Sequence, residues 1–313
     1  MAGETRFEHA TSGFGDRCST IEPLPFDAIY YKVNTNFSQG KKVKYMKYSL
    51  GVIGLGVMGE AILSQILKSD KFLPNEICVF DLDEQKEKRF ADVGVTVADS
   101  VKGLVTDSKR VLIAVKPQHY KSACSGICFD GVETVYSIMA GINTGVLREN
   151  LALSTTGIVR IMPNVPCKIG KGVCGMTFNG VTDAEKKIAC EIFSACGSVV
   201  VTEEINFDAI TSVSGSGPAY VYMFAEGMIK GGMNGGLSYE ESKILALDTI
   251  IGAAEIAKIS DEPLSVLVDR VCSKGGTTIE AVNVFREKDL IDTIAEGVDA
   301  CRKKSEILGK TIC

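Results

Sequence analysis

Histidine is almost missing from this chain. Of its 313 residues only His9 and His119 are histidines, far apart and in unrelated contexts. That leaves little room for a His-rich metal site or a His-based nucleophilic triad, and no metal site is expected. Long apolar runs are also missing: none approaches the ~18–20 residues that span a bilayer, and there is no apolar signal segment. Basic charge is not in excess. With 34 Lys and Arg against 39 Asp and Glu, the net charge is −5, so no positive field exists to attract nucleic acid or anionic lipid. The 11 cysteines contain no CxxC pair; the nearest two, Cys124 and Cys128, are CxxxC. An odd number without that spacing reads as reduced thiols in a reducing compartment, which points to the cytoplasm. A small-molecule substrate is therefore expected, with no nucleic-acid or membrane partner.

What is present is the composition of a soluble globular protein, 45% hydrophobic and 23% charged. Its length suits one large or two ordinary domains. Residues 1–45 differ from the rest: polar, aperiodic, with six Lys/Arg and five Asp/Glu. They read as a disordered extension and as a weak candidate for a transit peptide. Met46 opens directly before the first strand signal, so the functional protein is expected to begin near it.

From residue 48, strand and helix patterns alternate. Strands are predicted at Leu50–Gly54, Ile77–Phe80, Val111–Val115, Thr134–Met139, Ile158–Met162 and Ser198–Thr202. Helices are predicted at Val57–Lys68 and Glu84–Ala91. Another should open at the capping box Thr182-Asp183-Ala184-Glu185 and be closed by Gly197. Alternation of this kind implies a doubly wound parallel sheet covered on both faces. Beyond about residue 206 only helices are predicted: Pro218–Lys230, Ser238–Ile259, Pro263–Cys272, Thr277–Phe285 and Asp289–Leu308. The expected organisation is an α/β domain over 46–205 followed by an all-helical domain over 206–313. The helix opened by the capping box Ser238-Tyr239-Glu240-Glu241 is apolar nearly all round, through Ile244, Leu245, Leu247, Ile250, Ile251, Ala253, Ala254 and Ile256. Such a helix needs burial on every side, which a helical oligomer interface supplies.

Glycine makes up 32 residues and is clustered. Gly54-Leu55-Gly56-Val57-Met58-Gly59 is GxGxxG between a strand and a helix, the setting of a dinucleotide pyrophosphate. The first glycine permits a tight turn, the second lets the pyrophosphate approach the backbone, and the third lets helix and strand pack closely. Asp81 lies 22 residues past Gly59 at the end of the second strand. An acid there suits a ribose 2′-hydroxyl and repels a 2′-phosphate. Leu82, Asp83 and Glu84 supply no cation, so the cofactor is NADH or NADPH with a lean to NADH. Asp81 could instead cap the next helix. Ala114-Val115-Lys116-Pro117 and Ala140-Gly141 end the following strands, where small residues would admit a nicotinamide. Lys116 reads as a solvated lysine near phosphates rather than a proton donor.

A second glycine turn, Ser273-Lys274-Gly275-Gly276-Thr277-Thr278, joins two predicted helices. Free backbone, hydroxyls and a helix N-terminus together form a small nest for a carboxylate; the plainer reading is an interhelical turn with a threonine N-cap. Gly215 and Gly217 in Ser214-Gly215-Ser216-Gly217-Pro218 read as packing glycines.

On these residues the chain resembles the pyrroline-5-carboxylate reductase family across roughly residues 48 to 310. The likeness rests on Gly54–Gly59, Ala114–Pro117, Met162-Pro163-Asn164, Asp208 through Tyr220, and Val271–Val282, the last being the most specific. The resemblance implies a Rossmann domain followed by a helical dimerisation domain, with homodimers that assemble further, for example into decamers. It implies reduction of 1-pyrroline-5-carboxylate to L-proline by NAD(P)H. It also implies roles by position. Gly54, Gly56, Val57, Met58 and Gly59 would cradle the pyrophosphate. Ala114, Val115, Lys116, Pro117 and Ala140 would line the nicotinamide side. Gly276, Thr277 and Thr278 would hold the substrate, with Ser273 at the same pocket and Thr278 and Ser273 as the catalytic candidates. Glu204 matches a family acid at the substrate site, although a strand-end surface acid fits equally. Lys274, Arg270 and Arg286 depart from the family pattern. Rival readings are a hydroxyacid or other cyclic-imine reductase of the same plan, and a non-catalytic dinucleotide-sensing module; the last leaves the second glycine turn unexplained.

Overall fold

All four residues of strand β1 (Leu50–Ile53) are buried, as a strand covered by helices on both faces must be. A computed structural model describes residues 46–312; the extension expected over residues 1–45 lies outside the described residues. After β1 come α1 (Val57–Lys68), β2 (Ile77–Phe80), α2 (Glu84–Ala91), β3 (Thr96–Val97), α3 (Val101–Asp107), β4 (Arg110–Ile113), α4 (Tyr120–Ala123), β5 (Thr134–Ser137), α5 (Thr144–Asn150), β6 (Gly157–Met162), β7 (Gly172–Asn179), α6 (Asp183–Ser194) and β8 (Gly197–Val201). They form one sheet in the order β3-β2-β1-β4-β5-β6-β7-β8.

From β3 to β6 every neighbouring pair is parallel, so the chain winds outward in both directions from β1 and helices fall on both faces. Alternate residues of β1 feed two cores. Leu50 and Val52 join Ile62, Leu63, Ile66 and Phe193 on one face. Ile53 joins Leu104, Tyr120 and Leu147 on the other.

The expected doubly wound, parallel-dominated sheet is present, with one antiparallel pair that the sequence pattern does not show. β7 runs antiparallel to β6, and β8 is parallel to β7. β7 was absent from the sequence reading because glycines interrupt it. Those glycines mark close approaches. A Cβ at Gly172 would overlap the Cys167 sulfur, and one at Gly175 would stand 2.6 Å from Ile210. β3, α3, α4 and α5 were also not predicted; each has seven residues or fewer, too short for a period to register.

Two local expectations are corrected. Thr182 does cap α6, its hydroxyl accepting the Glu185 N–H. The Glu185 carboxylate, however, bonds Arg110 and Thr134 on the sheet rather than closing the box. Gly197 does not end α6, which stops at Ser194. It opens β8 at φ +134°, where a Cβ would overlap the backbone of Gly172. Nine cysteines lie among the described residues and all are free thiols. Cys167 and Cys174, without CxxC spacing, meet at 3.8 Å in the core.

The rest is helical: α7 (Phe207–Ile210), a widened π turn at Thr211–Gly215, α8 (Gly217–Asn234), α9 (Tyr239–Ile259), α10 (Leu264–Val271), α11 (Thr277–Glu287) and α12 (Leu290–Ile312). The Ser238 box is complete, with the Ser238 hydroxyl accepting the Glu241 N–H and the Glu241 carboxylate accepting the Ser238 N–H. Gly215 packs against Met162, but Gly217 has open space where a Cβ would stand, so packing does not explain that glycine. α8 and α9 approach closely at Gly232 and Ser242, with Ala225 and Ala246 buried. Of the eight apolar residues singled out on α9, none is buried within the chain. No described helix is long and apolar enough to cross a membrane.

Candidate functional site

The first glycine cluster is the turn from β1 into α1. Gly54 has φ +96°, and a Cβ there would stand 2.8 Å from Val115. A Cβ at Gly59 would overlap the carbonyl oxygen of Gly54. At Gly56 the space is empty: nothing lies within 4 Å of the Cβ position. Gly56 is the N-cap of α1 and no side chain caps the helix, so the first-turn N–H groups are left for an anion. A tight turn, a close packing contact and an open approach are thus divided among the three glycines.

Parallel register sets the neighbouring strand ends beside this turn. Gly54 N–H donates to Phe80 O, and Ala114 N–H donates to Ile53 O, both at 2.8 Å. The result is a cleft of about 560 Å³. Of the predicted residues it is lined by Gly54, Gly56, Asp81, Ala114, Val115 and Lys116. Val57 and Met58 open α1 beside it, and Gly59 is buried beneath the turn. Pro117 and Ala140 follow the ends of β4 and β5 and do not line it.

Asp81 holds the loop as well as facing the cleft. Its Oδ2 accepts the Leu55 N–H at 2.5 Å and its Oδ1 accepts the Asp83 N–H at 3.0 Å. The cap of α2 is Asp83, whose carboxylate accepts the Gln85 N–H. The sequence reading saw no cation beside Asp81. In the structure, Lys86 Nζ, one helical turn on, stands 3.6 Å from both Asp81 Oδ1 and Asp83 Oδ2 and lines the cleft. An (i, i+5) neighbour is invisible to inspection of the next few residues. His119 lines the cleft too, because the turn after Pro117 folds back: the His119 N–H donates to Lys116 O at 2.9 Å.

The second glycine turn links α10 to α11. Gly275 has φ +73°, and Gly276 is the N-cap with no side-chain capping bond. A Cβ at Gly276 would overlap the Ser273 hydroxyl. Thr277 and Thr278 are the first two residues of α11, so neither threonine caps it. Ser273, Lys274 and Thr277 are exposed, and Thr278 is half-buried. Arg270 is forked onto Glu262 at 2.7 Å, and Arg286 lies 3.7 Å from Asp269.

These two stations are separate in one chain. Every residue lining the cleft falls between 53 and 123, and none belongs to the turn 273–278. Glu204 belongs to neither. Its carboxylate accepts the Thr144 N–H at 2.8 Å and the Thr144 hydroxyl at 2.7 Å, and it pairs with Arg160 at 3.1 Å. Arg160 also lies over the Phe207 ring, 4.4 Å from its centroid. Glu204 therefore ties α5 and β6 to the start of the helical half.

Comparison with known proteins matches both halves of the chain. The family profile "Pyrroline-5-carboxylate reductase dimerisation" matches residues 204–308, and "NADP oxidoreductase coenzyme F420-dependent" matches residues 49–141. The pyrroline-5-carboxylate reductase of Aquifex aeolicus is 34% identical over 261 residues, 83% of this chain and 97% of its own length. That of Escherichia coli is 33% identical over 270 residues, 85% of this chain and all of its own. A crystal structure of Plasmodium falciparum pyrroline carboxylate reductase with NADP bound superposes with a TM-score of 0.75 at 32% identity, covering 85% of this chain and 99% of that one.

Proposed function

This chain belongs to the pyrroline-5-carboxylate reductase family, and we propose that its two glycine turns serve one active site. The enzyme reduces 1-pyrroline-5-carboxylate to proline with hydride from NADPH or NADH. The division of labour follows the residues: 46–205 binds the dinucleotide, and 206–313 carries the substrate nest and pairs with a second copy.

The cleft fits a dinucleotide because space is open where a Gly56 side chain would stand and the uncapped N-terminus of α1 adjoins it. Bound there, the cofactor supplies hydride. Gly54, Gly56, Gly59 and the first-turn amides at Val57 and Met58 hold its phosphates. Asp81 serves the ribose and favours NADH, while Ala114, Val115, Lys116, Pro117 and Ala140 form the nicotinamide side. The substrate carboxylate is held by the uncapped amides of α11, with Gly276 giving the backbone access and the hydroxyls of Ser273 and Thr277 completing the nest. The Thr278 hydroxyl stands at the ring nitrogen, where it supplies or relays the proton that nitrogen gains. No strong protein base is needed for an imine that accepts hydride once protonated. Aligning two flat rings and excluding water can contribute up to about 7–11 kcal/mol.

The observation that carries this reading is the separation of the two stations together with the uncovered α9. A homodimer that buries the α8–α9 face lets one protomer's nest approach its partner's cleft, and such dimers can assemble further into a decamer. The free thiols support a reducing compartment, the cytoplasm. The test is incubation of purified protein with 1-pyrroline-5-carboxylate and each reduced dinucleotide, following loss of nicotinamide absorbance. No loss with either cofactor overturns the reading; loss only with a 2-oxo acid would make the chain a hydroxyacid dehydrogenase.

A further inference from the structure

Asp81 presents an adenosine-binding end with a negative charge, and more acids surround it. Asp83 is its neighbour, and the Glu87 carboxylate accepts the Asp81 N–H at 2.9 Å. A 2′-phosphate, which leaves the ribose at the end of β2, would meet these charges first. The cations lining the cleft are Lys86 and Lys116. Lys116 follows β4, whereas Lys86 is in the first turn of α2, the helix that follows β2. Arg89, farther along α2, is forked onto Glu60 at 2.8 Å.

Lys86 is placed in an uncommitted way. Its Nζ is 3.6 Å from one oxygen of each aspartate, and its side chain is 32% exposed. That is close enough for charge attraction but beyond an ordinary N–H···O bond, so its three donors are not spent on either carboxylate. Asp81, by contrast, is anchored by the Leu55 and Asp83 N–H groups and cannot swing away from a phosphate.

We propose that Lys86 is the specificity-determining cation that lets this acid-lined end accept a 2′-phosphate, so that the cleft takes NADPH as well as NADH. With NADH bound, Lys86 stays between the aspartates and Asp81 meets the ribose hydroxyl. With NADPH bound, it turns outward on its flexible stem to the phosphate without breaking a formed hydrogen bond. The inference rests on the dinucleotide reading of the cleft.

The test needs no substrate. The full chain is titrated calorimetrically with adenosine 2′,5′-bisphosphate and with 5′-ADP. K86A should lose about tenfold or more in affinity for the bisphosphate while 5′-ADP changes by less than about twofold, and K86R should recover most of the loss. Thermal unfolding of both variants should match the parent. Equal losses for the two nucleotides, or no loss for either, overturns the proposal. If the unaltered chain binds neither nucleotide, the dinucleotide reading falls and this one falls with it. If the nucleotides separate as expected but 1-pyrroline-5-carboxylate is not reduced, only the substrate reading fails.

Discussion

A side chain at Gly59 would run into the carbonyl oxygen of Gly54, whereas one at Gly56 would meet nothing. Two alanine substitutions in one motif should therefore fail differently. Gly59→Ala forces α1 away from β1 and should cost about 1–3 kcal/mol of stability, the scale of overpacking, together with cofactor affinity. Gly56→Ala should leave Tm unchanged and weaken cofactor binding about tenfold or more, because only the ligand needs that space. Thermal unfolding and cofactor titration on both variants check this; equal Tm values for the two would contradict it.

Glu204 is held by Thr144 and Arg160. Glu204→Ala leaves the Thr144 N–H and a nearly buried guanidinium without their partner. Because Glu204 is partly exposed, the expected cost is roughly 1–3 kcal/mol rather than the full value of a buried pair. A raised KM at unchanged Tm would instead return Glu204 to the substrate site.

Arg110 and Glu185 form the pair linking α6 to the sheet, with side chains 10% and 12% exposed. Burial pushes the Glu185 carboxyl upward, but hydrogen bonding and charge from Arg110, with the Thr134 hydroxyl, outweigh it and leave the pKa below the ordinary 4.5. A depressed carboxylate stabilises the fold above its unfolded pKa, and that stability fades as pH falls through the folded value. Denaturant unfolding should show stability declining below about pH 4.5, with a shallower acid slope in Glu185→Gln. An identical slope in the variant would remove this pair as a source of acid sensitivity.

Thr278→Ala should lower kcat/KM by roughly 1–3 kcal/mol, the scale of one hydrogen bond in a dry site, at little change in Tm. Unaltered kinetics would take Thr278 out of the mechanism.

Ile251 is 56% exposed on α9. Ile251→Glu puts a charge where the proposed dimer buries an apolar face. Sedimentation should report monomer, and reduction of 1-pyrroline-5-carboxylate should fall with it. An intact dimer would mean that another face joins the subunits.

Periodicity and turn chemistry are local, so α1, α2, β2, the Ser238 box and the Gly54–Gly59 turn were legible in order and nearly in extent. Strand β7 was not, because its glycines answer to Cys167 and Ile210, which approach from elsewhere in the chain. Asp81 was legible as an acid at a strand end. Its bond to Leu55 and its partner Lys86 were not, since a side chain's companions depend on the helix that follows. The same holds for Glu185, whose spacing promised a box until Arg110 offered a stronger bond.

The amino-acid order alone thus determined the two glycine turns, the alternating half and the helical half, because each depends on neighbours a few residues apart. Tertiary structure decided the direction of β7, the anchoring of Asp81 and Glu204, and the return of His119 to the cleft. Those are set by which surfaces meet when the sheet is covered, and hydrogen bonds across that packing choose among partners that sequence spacing cannot rank.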